Sequence, residues 1–137
     1  MAQKRDVKAL EILEPWLNYN VEYRGERMPV RAWIHSKYNK VKEYQVLVRL
    51  TAGWPINWAL ERPTQQPLVW RHEPDRTSDF RGVSLFKERG LWRASMKCVD
   101  SRAPKAIAYC TDELLAAAVY NVCARWQYGM AARLNLT

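Results

Sequence analysis

The sequence predicts an α+β protein in which small antiparallel sheets are each packed by a helix. Short segments alternate apolar with polar residues and are separated by Gly-containing turns, which is typical of half-buried strands. An Ala-rich segment near the end has helical spacing instead. Polar, Pro-bearing links at 63–67 and 72–78 divide the chain, and the second separates a predicted N-terminal region, 1–75, from a C-terminal region, 76–137.

The N-terminal region has no role that its residues reveal, and its predicted order is α-β-β-β with a small helix at the end. The first helix is predicted at 6–17, where leucines recur on one face and Pro15 lies near the end. The following elements are predicted to be three strands and a helical turn or two, at 19–23, 29–35, 43–51 and 56–61. Arg24-Gly25-Glu26 is the predicted turn between the first two strands, and Gly53-Trp54-Pro55 breaks the chain after the third.

The C-terminal region is predicted to begin with two basic strands joined by a hairpin turn. The chain reads FRGVSLFKERGLWRASMKC from Phe80, and Glu88-Arg89-Gly90 has the composition of a turn. After the turn, Trp92, Ala94 and Met96 alternate with Arg93, Ser95 and Lys97. This period of two predicts a half-buried strand with a basic outer face. A third strand is expected at about 104–110.

The Ala-rich segment that follows is predicted to be one helix. Thr111 or Asp112 offers an N-cap, and Gly129 provides a C-terminal stop. The buried stripe is predicted to consist of Leu115, Ala118, Val119, Val122 and Trp126. A stripe rich in small side chains would let the helix lie close to the sheet.

Four motifs in this region occur in a recognisable order. They are Phe80-Arg81-Gly82-Val83-Ser84, Gly90-Leu91-Trp92-Arg93-Ala94-Ser95-Met96-Lys97, Ala116-Ala117-Ala118-Val119-Tyr120-Asn121 and Ala132-Arg133-Leu134-Asn135. Together they resemble the AP2/ERF-type DNA-binding domain, as found in phage and homing-endonuclease-associated proteins. In that family, a three-stranded sheet lies in the major groove of DNA and one helix braces it from behind. The expected third strand departs from the family pattern, because it lacks the aromatic residue that the family turns outward.

The resemblance implies a small DNA-binding protein, encoded by a phage or mobile element, whose basic sheet lies in a groove of double-stranded DNA. The residues expected to contact phosphates and bases are Arg81, Lys87, Arg89, Arg93, Lys97, Arg102 and Lys105. Among these, Arg81 and Arg93 lie in the segments most similar to the family and are the candidates for guanine contacts.

Composition and charge agree with a polyanionic partner. The formal net charge is +8 and the pI is about 9.6, as expected for binding to nucleic acid. No apolar run approaches the length of a membrane span, and the chain's first residues lack the apolar part of a signal peptide. We therefore expect no membrane partner and a cytoplasmic location, in the host cell if the protein is phage-encoded.

Neither catalysis nor a metal or other cofactor is expected. Cys98, Cys110 and Cys123 have no Cys-x-x-Cys spacing, so they are predicted to be structural thiols. His35 and Asn39 are the nearest candidates for a nuclease site, but no second histidine or acidic residue follows at the spacing that such a site needs.

The seven tryptophans leave an alternative open. Most are predicted to pack in the core, but an exposed subset could stack on single-stranded bases or anchor a protein partner. The alternative function is therefore a protein-binding inhibitor or adaptor of a host enzyme that uses the same scaffold.

Overall fold

The computed structural model describes residues 6–64, 77–96 and 104–137. Its elements in chain order are α1 (Val7–Leu17), β1 (Asn20–Tyr23), β2 (Glu26–Pro29), α2 (Val30–Ile34), α3 (Glu43–Thr51), α4 (Ile56–Glu61), β3 (Val83–Phe86), β4 (Leu91–Met96), β5 (Lys105–Cys110), α5 (Glu113–Tyr128) and a short 3-10 helix (Gly129–Ala131). The boundary predicted between residues 75 and 76 lies outside the described residues.

The C-terminal elements form a three-stranded sheet packed by a helix, which confirms the predicted α+β class. The strand order is β3-β4-β5, all antiparallel, while β1 and β2 form a separate hairpin. The α5 helix begins after Asp112, whose Oδ1 accepts a hydrogen bond from the Leu114 amide at 2.7 Å. It ends at Gly129, where φ is +56°. Both helix ends therefore agree with the cap and stop that the sequence predicts.

One hydrophobic core joins elements from both ends of the chain. Leu13 of α1, Leu47 of α3 and Leu115 of α5 belong to the same buried cluster. The α5 helix contacts α1 and α3 as well as all three strands of the C-terminal sheet. Its segment Ala116-Ala117-Ala118 is fully buried, so small side chains permit close packing, as predicted. The C-terminal sheet is thus held from behind by a helix that is itself embedded in the core.

Two of the predicted N-terminal strands are wrong. The second strand is displaced to Glu26–Pro29, and Val30–Ile34 is helical. The segment predicted as a third strand is α3, in which every residue from Gln45 to Thr51 is buried. A short segment buried on all sides has no polar face, so apolar alternation cannot distinguish a strand from a helix. The predicted order α-β-β-β is therefore α-β-β-α-α before the last short helix.

The predicted core position of Trp126 is also wrong. Its side chain is 75% exposed, whereas Leu115, Val119 and Val122 of the same predicted stripe are buried. The last buried residue of α5 is Ala124, so the end of the helix extends beyond the core. Helical spacing correctly identified the buried side of α5. It could not show at which residue of the helix the core packed against that side ends.

Candidate nucleic-acid interface

The C-terminal sheet has two chemically different faces. Successive residues of a strand point to opposite faces, so cross-strand partners share one face. Val83, Ala94 and Ala108 form one row and are buried on the side of α5. The neighbouring row, Ser84-Arg93-Tyr109, therefore lies on the opposite face. We call this opposite side the outer face and define it by Ser84, Phe86, Leu91, Arg93 and Tyr109.

The outer face carries an aromatic pair next to its central arginine. The Phe86 and Tyr109 ring centroids are 5.6 Å apart with an angle of 57° between the ring planes. Tyr109, the next-to-last residue of β5, is 37% exposed. The expectation that the third strand lacks an outward aromatic residue is therefore wrong. Arg93 Nε approaches Ser84 Oγ at 3.4 Å, which orients the guanidinium along the face.

A cavity of about 390 Å³ opens at the turn end of the outer face. Among the residues that the structure describes, its walls are Phe86, Leu91 and Tyr109 together with Glu88 and Arg89 of the β3–β4 turn. The Arg89 amide donates to the Phe86 carbonyl at 3.2 Å, so the backbone of this turn is tied to the end of β3. The cavity thus combines an apolar wall with one carboxylate and one guanidinium.

The structure distributes four of the predicted contact residues along the sheet. Lys87 and Arg89 are exposed in the turn, Arg93 is half-buried in the middle of β4, and Lys105 is exposed at the start of β5. Lys105 pairs with Met96, so it lies at the opposite end of the sheet from the turn, and because Met96 has the same parity as Ala94, this pair belongs to the side of α5 and not to the outer face. No other described residue forms an ion pair with any of these four side chains. Lys97 and Arg102 lie outside the described residues.

Arg81 has a different environment from the other predicted contact residues. It lies in the turn before β3, next to Gly82, whose backbone packs against the Tyr120 ring of α5. Burial raises the pKa of the Tyr120 hydroxyl on α5, and the positive charge of Arg81 acts in the opposite direction, which places the two side chains close together. The structure therefore groups Arg81 with the helix side of the sheet and not with Arg93.

Asparagine side chains fix the start of the sheet to the helix behind it. Asn135 accepts from the Arg81 amide at 2.6 Å and donates to the Arg81 carbonyl at 3.0 Å. Its own amide donates to Asn121 Oδ1 at 2.6 Å, and Asn121 Nδ2 bonds Thr51 Oγ1 of α3 at 3.2 Å. Both asparagines are buried. This network joins β3, α5 and α3, so the outer face rests on a rigid support.

The residues considered for a nuclease have local roles. Asn39 donates to the Ile34 carbonyl at 2.8 Å and accepts from the Val41 amide at 3.0 Å, so its amide group supports a loop. His35 Nε2 lies 3.5 Å from Glu43 Oε1 on the surface. Within 6–64, 77–96 and 104–137, no three His, Cys, Asp or Glu side chains converge in a way that could hold a metal ion.

The described cysteines are poorly reactive thiols. Burial raises the pKa of Cys110 to about 12, with Asp6 and Asp112 acting in the same direction. Burial also raises the pKa of Cys123. Since the thiolate is the nucleophile and the metal ligand, both groups stay protonated near neutral pH.

The tryptophans divide into a packed and an exposed set. Trp33 is fully buried, donates to the Val21 carbonyl at 2.9 Å and meets Tyr23 edge to face with centroids 5.2 Å apart. Trp16 is half-buried under the Arg125 guanidinium, which lies 5.7 Å from its ring centroid. Trp126 projects from the end of α5. Packing thus accounts for Trp33, as predicted, but not for Trp126.

Comparison of the chain with family models, curated proteins and solved structures gave no match. Among the described residues, no helix combines the length and apolar character needed to cross a membrane. The resemblance to AP2/ERF-type domains therefore stays a prediction from the motifs.

The aromatic pair on the outer face is the functional feature that sequence reasoning missed. Motif alignment placed Tyr109 in a strand that was expected to lack an outward aromatic residue. Because Tyr109 pairs with Arg93, its side chain lies on the outer face. A register irregularity between Ala94 and Ser95 alters the pairing of β5. A register change of one residue moves a side chain to the other face of a sheet, so local sequence could not identify the outward residue.

Proposed function

We propose that this protein binds double-stranded DNA through the outer face of its C-terminal sheet. The observation that carries the proposal is a group of basic side chains with no described acidic partner on that face and in the turn beside it: Lys87, Arg89 and Arg93. Exposed lysine and arginine side chains neutralise phosphates and release counterions, which drives association with DNA. The motif resemblance supports the same function and a phage or mobile-element origin.

The dimensions of the sheet suit a groove. Adjacent strands are about 4.8 Å apart, so three strands span about 10 Å, and the major groove of B-DNA is about 12 Å wide. The six residues of β4 extend over roughly 17 Å at about 3.3 Å per residue. With Arg93 near the middle of β4 and Lys87 and Arg89 in the turn, the sheet can contact base edges centrally and phosphates beside the turn. A protein that works in this way is a binding protein and not an enzyme, and it acts in the cytoplasm where phage DNA is present.

Arg93→Ala is expected to reduce sequence discrimination, whereas Lys87→Ala should weaken binding to every duplex alike. Arg93 is held by Ser84 in the middle of the outer face, where a guanidinium can reach a guanine edge, and Lys87 lies in an exposed turn. A bidentate arginine contact contributes about 1–3 kcal/mol of discrimination. The measurement is fluorescence anisotropy with a duplex selected from a random pool and with a scrambled duplex of the same length.

The matched control is Trp126→Ala, because Trp126 is exposed but lies at the end of α5 and not on the sheet. It should bind both duplexes like the parent protein. If Arg93→Ala loses the same affinity on the selected and the scrambled duplex, Arg93 does not read bases.

A second candidate function is protein binding through the end of α5, as an inhibitor or adaptor. The specific observation is an exposed apolar patch in which Trp126 is 75% exposed and Met130 fully exposed. Arg125 contributes to the same region, since it lines a cavity with Met130 and covers Trp16. Trp and Arg are enriched at the energetic centres of protein interfaces. Under this function Trp126→Ala abolishes complex formation, and the basic outer face makes no contribution to affinity.

A further inference from the structure

We propose that the cavity at the turn end of the outer face binds one unpaired DNA base, so that the protein prefers duplexes containing an extrahelical nucleotide. This inference rests on the proposed DNA-binding function. It concerns the cavity lined by Phe86, Glu88, Arg89, Leu91 and Tyr109, which the contacts of a sheet with a regular duplex leave unexplained.

The first argument is the aromatic wall. Tyr109 is a large ring left 37% exposed on a sheet face, and Phe86 lies beside it with a 57° tilt. Two tilted rings form an angled wall and not a continuous flat platform. Such a wall accommodates one base, stacked on one ring with its edge toward the other, but not a run of stacked bases. Every base has a π-face, so exposed aromatic rings next to basic residues are a recurrent site for unpaired nucleotides.

The second argument is the pair of charged groups in the same cavity. A phosphate would be attracted by Arg89 but repelled by Glu88, since both side chains line the cavity. A base edge carries both donors and acceptors, and it can satisfy both groups at once. Carboxylates accept from the amino group of cytosine, and arginine donates to the O6 and N7 atoms of guanine. The amino group of cytosine or guanine offers Glu88 two hydrogens, whereas an unpaired thymine offers only its single N3–H, so the cavity should favour a cytosine or a guanine over a thymine.

The third argument is the position of the neighbouring positive charges. Lys87 follows Phe86 directly in the chain, and Arg93 is the cross-strand partner of Tyr109. A phosphate beside an inserted nucleotide would therefore meet Lys87, and the edge of a neighbouring base would meet Arg93. The charge around the cavity complements the backbone of the nucleotide, while the apolar wall complements its base.

The test compares two duplexes of identical sequence, one of which carries a single extra cytosine as a bulge. Affinities are measured by fluorescence anisotropy at one fixed salt concentration. The parent protein should bind the bulged duplex about tenfold more tightly, because stacking on an aromatic side chain contributes about 1–3 kcal/mol per base and about 1.4 kcal/mol corresponds to tenfold. Tyr109→Ala should bind the bulged and the paired duplex with equal affinity, whereas Tyr109→Phe should keep the tenfold ratio between them.

The matched control is Tyr19→Ala, which removes a 66% exposed tyrosine located between α1 and β1, away from the sheet. It should retain the full preference for the bulge. A second variant, Glu88→Ala, changes an exposed turn residue with no described hydrogen bond and is expected to fold. It should abolish the preference for a bulged cytosine over a bulged thymine.

Equal affinity of the parent protein for the bulged and paired duplexes would overturn this inference and leave the proposed function standing. A preference for the bulge that persists in Tyr109→Ala would overturn it as well. Absence of binding to either duplex would show that the proposed function and this inference are both wrong.

Discussion

Gly82→Ala is expected to lower the free energy of unfolding by about 2–5 kcal/mol. Gly82 has a φ of +72°, and a Cβ at this position would lie 2.2 Å from Tyr120 Cδ2 and 2.7 Å from the Ser95 carbonyl oxygen. A left-handed conformation costs an alanine about 1–2 kcal/mol, and overpacking adds about 1–3 kcal/mol. Since the Gly82 carbonyl accepts from the Ser95 amide at 2.8 Å, the backbone cannot move away without breaking the edge of the sheet.

Gly90→Ala is the matched control for this substitution. Gly90 has a similar φ of +64°, but an added Cβ would meet nothing within 4 Å. It should therefore cost only the conformational part, about 1–2 kcal/mol. Urea unfolding followed by tryptophan fluorescence measures both losses. Equal losses for the two variants would mean that the approach of Gly82 to Tyr120 is not tight.

Arg49→Met is expected to cost about 3–5 kcal/mol of stability. The Arg49 side chain is fully buried in α3 and donates only to backbone oxygens, including Thr137 at 2.7 Å, Arg62 at 2.7 Å and Pro63 at 2.9 Å. Burial lowers the pKa of its guanidinium, but an arginine remains protonated at any physiological pH. Methionine would preserve much of the volume and leave the carbonyls without donors, and each unsatisfied buried acceptor costs about 1–3 kcal/mol. The loss would appear in the same urea titration.

Arg62→Met is the control for Arg49→Met. Arg62 is exposed, and its guanidinium covers the Trp58 ring at 4.0 Å from the centroid. An exposed cation–π contact contributes about 0.5–1 kcal/mol. If Arg49→Met costs no more than Arg62→Met, Arg49 does not organise the end of α4 and the last residue of the chain.

The C-terminal sheet and helix could be predicted because their signals are local. The alternation around Arg93 arises whenever one face of the strand is buried. Asp112 caps the start of α5 with its side chain, and Gly129 ends the helix because its backbone adopts a positive φ. By contrast, α3 is buried all round, so its periodicity was ambiguous and its class depended on tertiary packing.

The candidate site was predicted in part. Lys87, Arg89 and Arg93 were identified because basic residues at a turn and on the polar side of an alternating strand are exposed in almost any packing of that strand. The environment of Arg81 depends on the contact of its turn with Tyr120, which no short-range pattern encodes. The face on which the Tyr109 side chain lies depends on the register between β4 and β5. The irregularity in that register, between Ala94 and Ser95, arises only when the two strands pair, so neither strand's sequence shows it alone.

The measurement that tests the central claim most directly is the salt dependence of affinity for a paired duplex. If Lys87 and Arg89 each neutralise one phosphate while Arg93 contacts a base edge, log affinity should fall against log salt with a slope of about −1.8. Affinity should then drop on the order of tenfold between about 50 and about 200 mM salt. Lys87→Ala should reduce the magnitude of the slope by about one, while Trp126→Ala leaves it unchanged. A slope near zero, or equal slopes for the parent protein and Lys87→Ala, would contradict binding of DNA through the outer face.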